Sequence, residues 1–204
     1  MKVIFLDIDG VLNSQRTAVA FGRIPFSTAN DGRAALDEVA IRIIGGIARA
    51  SGAVIVLSST WRKHSDWQKY GPDLDLPIID RTPTLSGNRG PEIAVWLKLN
   101  HEVENYAIID DDSDMLPEQM PFFVHTSGFD GFTWTNAQLL AKLMGVDLSN
   151  VNRPPTSDTR TDAGMEAAFA KHGIENSFRS RLIFGIGFRT AQSAHGISYH
   201  ESEV

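Results

Sequence analysis

Two aspartates follow the first apolar stretch of the chain at a spacing that suits phosphate chemistry. Asp7 and Asp9 flank Ile8 and come directly after the apolar run 3–6. Carboxylates in a dry crevice are costly unless they are paired or bind a cation, and Mg²⁺ prefers carboxylates together with water and a substrate phosphate. With such a cation, we expect Asp7 to attack phosphorus as a nucleophile and Asp9 to transfer protons. The alternative is a strand-end turn in which Asp9 and Gly10 merely reverse the chain.

A second acidic cluster follows the apolar run 106–109. The segment 110–114 contains four aspartates, which repel one another in a compact setting unless a cation or solvent absorbs their charge. Asp110 is the first expected metal ligand, and Asp111 or Asp114 would act directly or through water. The alternative is a solvated acidic turn.

Hydroxyl and guanidinium groups that suit a phosphate lie near two further element boundaries. Ser58 ends the apolar run 53–57, and Ser59 and Arg62 follow it as expected substrate-binding residues. Arg89 lies just before a predicted helix start, where anions are favoured. The alternatives are ordinary turn chemistry for the serines and surface salt bridges for the arginines.

The apolar pattern predicts the elements that position these residues. It predicts buried strands at 3–6, 53–57, 106–109 and 122–124, and a short strand at 77–79 between the second and the third. It predicts helices over 36–48, from Pro91 and over 139–144. Thr135 and Gln138 are expected to form a capping box at the start of the last helix. This order predicts an α/β fold, a Rossmann-like parallel sheet with helices on both faces. Ligands of such sheets bind beyond the carboxyl ends of the strands, where Asp7, Ser58 and Asp110 would meet.

Composition narrows the classes of function. The 204 residues include no cysteine, which excludes a disulfide scaffold, a thiolate zinc site and a cysteine nucleophile. The net charge of −6 disfavours an extended nucleic-acid surface but permits contact with one terminal phosphate. No apolar run is long enough to span a bilayer, and early acidic residues interrupt any signal-peptide core. We therefore expect a cytoplasmic protein without a membrane partner.

A change in composition predicts the domain boundary. We expect a catalytic domain over 1–148 and a linker and C-terminal tail over 149–204. The stretch 150–162 is rich in proline, serine, threonine and aspartate, and the tail beyond it shows no sustained hydrophobic period. The tail is expected to be partly disordered or to pack on the domain or on a partner.

Taken in order, these motifs resemble the haloacid dehalogenase (HAD) superfamily of phosphohydrolases. Residues 7–11 are similar to its first motif, 54–58 to its second and 108–111 to its fourth, and Arg89 stands where the third has its basic residue. The sequence Ser-Ser-Thr-Trp-Arg at 58–62 resembles a branch of small HAD domains that occur beside RNA-repair enzymes and in phages.

The resemblance implies a Rossmann-like sheet with a small or absent cap and a Mg²⁺-dependent phosphatase. Asp7 would be the nucleophile and Asp9 the general acid and base, with Ser58 holding the phosphoryl group and Arg89 stabilising the aspartyl-phosphate. The implied metal ligands are Asp7, Asp9, Asp110 and Asp111. The family more often has lysine where Arg89 stands. The expected substrate is a phosphorylated small molecule such as a nucleotide, or a polynucleotide end; the alternative is a catalytically silent HAD-fold phosphate-binding or regulatory protein.

Overall fold

A computed structural model describes residues 1–22, 36–85 and 87–151 of the chain. Within them, five parallel strands form one sheet in the order β3-β2-β1-β4-β5: β1 Lys2–Leu6, β2 Ala53–Leu57, β3 Ile78–Arg81, β4 Asn105–Asp110 and β5 Phe123–His125. The predicted α/β class and parallel sheet are confirmed, and the short strand expected near 77–79 is β3.

Five α-helices connect these strands in the described residues: α1 Gln15–Ala20, α2 Glu38–Ser51, α3 Tyr70–Leu74, α4 Arg89–Leu99 and α5 Trp134–Met144. Short 3₁₀ turns lie between them, the last at Leu148–Asn150. None of the helices in the described part of the chain is long and apolar enough to cross a membrane. The predicted linker and tail lie outside the described residues from residue 152 onward.

Two apolar cores cover the two faces of the sheet. Side chains alternate along β1, so that Ile4 and Leu6 pack into the core that contains residues of α2 and α5. Val3 and Phe5 pack into the other core with residues of α4, where the rings of Phe5 and Trp96 meet edge to face at a centroid distance of 5.4 Å. Helices on both faces are thus confirmed, and burial on both faces explains why the central strands are continuously apolar.

The ends of two helices have identifiable causes. Helix α2 begins after Asp37, whose carboxylate accepts hydrogen bonds from two amides of the first turn, and it ends at Gly52 with a left-handed φ of 69°. Helix α4 begins at Arg89, two residues before Pro91, the expected first position. The Asp114 carboxylate accepts a hydrogen bond from the Arg89 amide at 2.8 Å, which accounts for the earlier start.

The predicted capping box of α5 was wrong by two residues. Thr133, not Thr135, is the N-cap, and its hydroxyl accepts a hydrogen bond from the amide of Asn136 at 3.4 Å. The Asn136 side-chain oxygen accepts in return from the Thr133 amide at 2.9 Å. This reciprocal pair satisfies amides at the helix start that would otherwise lack partners, and Thr135 is exposed on the first turn.

Replacement of the two threonines separates the two capping schemes. Thr133→Ala should lower the free energy of unfolding by about 1 kcal/mol, because the helix loses its side-chain cap. Thr135→Ala should change it by less than about 0.5 kcal/mol, because surface substitutions away from such features have small effects. Urea denaturation followed by circular dichroism measures both values, and equal losses would contradict the assignment of Thr133.

Candidate active site

The register of the sheet brings three predicted site residues to one edge. Leu6 pairs with both Leu57 and Ile109, so the residues that follow these three positions lie side by side at the carboxyl ends of their strands. The amide of Asp7 donates to the Ile109 carbonyl at 3.0 Å, and the amide of Ser58 donates to the Leu6 carbonyl at 2.9 Å. The predicted convergence of strand ends is therefore present in the structure.

Three carboxylates gather at this edge around one guanidinium. Oxygen atoms of Asp7, Asp110 and Asp111 lie within 4.8 Å of one another. Arg89 approaches two of them: its Nη2 lies 3.8 Å from Asp7 Oδ1, and its Nε lies 3.1 Å from Asp110 Oδ2. These approaches do not have hydrogen-bond geometry, so Asp7 Oδ1 and Asp110 Oδ2 are buried without a hydrogen-bond partner. Arg89 thus lies beside two of the three acidic groups.

The burial of this cluster changes its acid–base behaviour. Burial, together with the negative charge of Asp7, raises the pKa of Asp110 to about 8. Burial also raises the pKa of Asp7 to about 6, against the opposing charge of Arg89. Burial likewise raises the pKa of Asp111. The common cause is that a carboxylate loses hydration in the crevice and gains too little positive charge in exchange.

The donor set fits a hard divalent cation. The three carboxylates offer oxygen ligands, and two of them include buried oxygens without a hydrogen bond. Mg²⁺ is bound in proteins by a small number of carboxylates together with water and phosphate oxygens. The residues that would hold it here are Asp7, Asp110 and Asp111. The side chain of Asp9 lies outside this cluster, so its predicted part in binding the metal stays a prediction.

Both carboxylate oxygens of Asp9 accept hydrogen bonds from side chains. Trp61 Nε1 donates to Oδ2 at 3.0 Å, and Asn13 Nδ2 donates to Oδ1 at 3.1 Å. Burial raises the pKa of this carboxyl group. Sequence reasoning missed both donors; Trp61 stood within the serine-rich stretch after β2, and Asn13 lies four residues after Asp9.

Gly10 allows the two acidic segments to approach each other. Its φ of +73° is left-handed, and a Cβ atom at this position would lie 2.0 Å from Asp111 Oδ2. The hydroxyl of Thr126 donates to the Gly10 carbonyl at 3.0 Å and holds the turn. Gly10 is therefore required for both its backbone conformation and its lack of a side chain.

The serines after β2 are placed to receive a ligand oxygen. Ser58 is fully buried, and its hydroxyl has no hydrogen-bond partner among the described residues. Ser59 is also buried; its hydroxyl accepts from the Trp61 amide at 3.3 Å, and a further hydrogen bond to Asp7 opposes the rise in the pKa of that carboxyl. Ser58 thus has a free buried hydroxyl and lies one residue beyond β2, at the same edge of the sheet as Asp7.

Arg62 makes several contacts within the protein itself. It is buried, and its Nη1 donates to the carbonyls of Ser58 at 2.6 Å and Ser59 at 2.7 Å. Its Nη2 forms an ion pair with Glu92. Arg62 is thus bound to the backbone and to a buried carboxylate of the protein itself, and its predicted contact with the substrate stays a prediction.

The aspartates of the acidic segment at the end of β4 make different contacts. Asp111 joins the carboxylate cluster, whereas Asp114 accepts from the Arg89 amide at the start of α4. The amide of Asp112 donates to Asp110 Oδ1 at 3.0 Å and fixes the orientation of that carboxylate. Of the two residues left open by the sequence, Asp111 is thus the one placed with Asp7 and Asp110.

Comparison with protein families gives a match over most of this domain. The family described as the HAD domain in Swiss Army Knife RNA repair proteins matches residues 3–137, which is more than half of the chain. The matched stretch contains every site residue described above. No curated protein matches the chain, and no solved structure matches it.

Substitution of Gly10 tests the approach of the two segments. Gly10→Ala should weaken Mg²⁺ binding by about 10-fold or more, because the new methyl group displaces Asp111. Gly52→Ala is the matched control, since Gly52 has a similar φ of +69° with nothing within 4 Å of the added Cβ. Isothermal titration calorimetry with Mg²⁺ measures the affinity, and an equal effect of the two substitutions would contradict the role given to Asp111.

The raised pKa of Asp110 predicts a pH-dependent stability in the metal-free protein. The folded state keeps this proton up to about pH 8, whereas the unfolded chain loses it near the ordinary value of 3.8, so stability falls as the pH rises through that window. Asp110→Asn resembles the protonated state and removes this dependence. With a chelator present, the melting temperature of the variant relative to wild type should therefore increase from pH 4 to pH 8.

Differential scanning fluorimetry in EDTA across this pH range makes the measurement. A difference between the two proteins that stays constant with pH would contradict the raised pKa. Addition of Mg²⁺ at pH 8 should then stabilise the wild type more than the variant, because the variant has lost a carboxylate ligand.

Proposed function

Since the chain belongs to the family of HAD domains in Swiss Army Knife RNA repair proteins, we propose that it is a Mg²⁺-dependent phosphatase acting on phosphate monoesters. Membership of this family indicates a phosphohydrolase. The observation that carries the proposal is the meeting of Asp7, Ser58 and Arg89 at one edge of the sheet, with buried atoms of the first two lacking hydrogen bonds. A phosphoryl group supplies acceptors for Ser58 and Arg89 and an electrophile for Asp7.

Asp7 is the proposed nucleophile. One of its carboxylate oxygens attacks phosphorus, the bond to the leaving oxygen breaks, and an aspartyl-phosphate forms. Arg89 lies 3.8 Å from Asp7 Oδ1 and is placed to offset the negative charge of the transferred group. The buried Ser58 hydroxyl is free to donate a hydrogen bond to a phosphoryl oxygen.

Asp9 is the proposed general acid and base. It gives its proton to the departing oxygen, then takes a proton from the water that attacks the aspartyl-phosphate, releasing inorganic phosphate and restoring Asp7. The hydrogen bonds from Trp61 and Asn13 hold its carboxyl group in place between these two steps. Asp7, Asp110 and Asp111 would hold Mg²⁺, which supplies positive charge beside the phosphoryl oxygens.

We propose a nucleotide or a polynucleotide end as the substrate. The matching family is described by its occurrence in RNA repair proteins, and an acidic chain with a charge of −6 suits a single terminal phosphate better than a long nucleic-acid contact. A cytoplasmic location belongs to the same proposal. A screen of nucleotides, sugar phosphates and 3′- or 5′-phosphorylated oligonucleotides identifies the preferred class.

Hydrolysis of para-nitrophenyl phosphate with and without Mg²⁺ tests the proposed reaction. Asp7→Asn should lower kcat by at least about 10³-fold without unfolding the protein, because an amide is nearly isosteric but a poor nucleophile. Asp66→Asn is the matched control, since Asp66 is exposed on the surface. Undiminished turnover by folded Asp7→Asn would contradict the mechanism, and phosphate binding without any turnover by wild type would favour a silent binding protein.

Two substrates with different leaving groups test whether Asp9 acts as the general acid. General acid–base help is worth about 10²–10⁴-fold, so Asp9→Asn should be impaired by that amount on an alkyl phosphate, whose leaving oxygen needs a proton. The loss should be smaller on para-nitrophenyl phosphate, because its leaving group departs without one. An equal loss on both substrates would remove Asp9 from the role of acid.

A further inference from the structure

A buried ion pair joins the segment after β2 to α4. Arg62 and Glu92 are 2% and 4% exposed, and the Arg62 guanidinium donates from Nη2 to Glu92 Oε2. Two charges removed from water regain that cost only with good geometry and additional hydrogen bonds, so a buried pair is weak evidence of a contribution to stability. Its contacts indicate a different role.

The guanidinium of Arg62 holds the backbone of the two serines after β2. Nη1 donates to the carbonyl of Ser58 at 2.6 Å and to the carbonyl of Ser59 at 2.7 Å. A planar guanidinium binds these carbonyls and a carboxylate at once, whereas the ammonium group of lysine is a compact point charge. Arg62 therefore fixes the backbone that presents the free hydroxyl of Ser58.

The carboxylate of Glu92 connects Arg62 to helix α4. Glu92 lies three residues after Arg89 in α4, within the same helical turn, so anchoring one anchors the backbone of the other. Its Oε2 accepts from Arg62, and its Oε1 accepts from the Leu85 amide at 2.9 Å. Arg81, at the end of β3, donates to the Arg62 carbonyl and adds the edge strand to the network.

We propose that the Arg62–Glu92 ion pair positions Ser58 and Arg89 relative to each other, and that neither side chain contacts the substrate. This inference rests on the proposed function, in which both positioned groups bind the phosphoryl group. Ser58 follows β2 and Arg89 is the first residue of α4, and the ion pair connects the segment after β2 to this helix. A displacement of about 1 Å at a reacting centre is enough to cost about 10²-fold in rate.

The test compares substitutions that keep size and alter the contacts. Arg62→Lys retains the charge but not the fork, and Glu92→Gln retains the shape but not the charge. Each should lower kcat for para-nitrophenyl phosphate by about 10- to 100-fold, with KM changed by less than about threefold. Arg49→Lys is the matched control and should leave both constants unchanged, because Arg49 binds Asp75 at the protein surface.

Two outcomes would overturn the inference. A raised KM, together with a raised inhibition constant for inorganic phosphate and an unchanged kcat, would show that Arg62 contacts the substrate, for example through its Nε, which is buried without a partner. A lowered melting temperature with unchanged kcat per folded molecule would show that the pair only stabilises the fold. The second variant, Glu92→Gln, decides the matter if Arg62→Lys does not fold.

A readout without turnover separates this inference from the proposed function. The Arg89 Nε–H group lies 3.1 Å from Asp110 Oδ2, and its ¹H–¹⁵N signal reports the position of this side chain. Arg62→Lys should shift that signal, and Arg49→Lys should not. If wild type hydrolyses no phosphate ester, the proposed function fails while a shifted signal still supports positioning; an unshifted Arg89 signal overturns the inference in either case.

Discussion

The burial of Asp7 and Asp110 beside the guanidinium of Arg89 is the constraint on which the site depends. An ionised carboxylate removed from water costs several kcal/mol unless other charges or hydrogen bonds compensate, and here Arg89 faces both groups without bonding either one well. Burial raises the pKa of both aspartates, and the charge of Arg89 offsets this rise only in part. The surrounding structure must hold mutually repelling groups together, and it does so with rigid strand ends and helix starts.

The pairing of the central strands holds these groups together. The central strand β1 pairs with β2 on one side and β4 on the other, and the two apolar cores fix it from both faces. The acidic groups thus lie on elements that cannot separate without exposing a core. Arg89 comes from the first residue of α4, and farther along the same helix Ile93 and Trp96 are buried in the second core. Apolar packing therefore positions the charge that the carboxylates need.

The strands and their convergence could be predicted because each apolar run ends at a polar residue, which is visible in the sequence. The cap of α5 could not: Thr133 with Asn136 and Thr135 with Gln138 have the same spacing, and only the path of the preceding chain selects the first. The ion pair of Arg62 with Glu92 could not be predicted for a similar reason. An arginine after a strand looks the same in sequence whether it faces a ligand or, as here, a carboxylate 30 residues away.

The segment from Asp110 to Asp114 fixes the start of α4 relative to the end of β4. At one end it fixes Asp110 in the carboxylate cluster, and at the other Asp114 binds the amide of Arg89, so the length of chain between them sets where α4 begins relative to β4. Gly90 packs against the end of this segment, where an added Cβ atom would lie 3.0 Å from the Asp114 carbonyl oxygen. The segment should consequently accept changes of side chain at Asp112 more readily than a change in the number of residues. One residue inserted in this segment would displace the guanidinium of Arg89 relative to the carboxylate cluster.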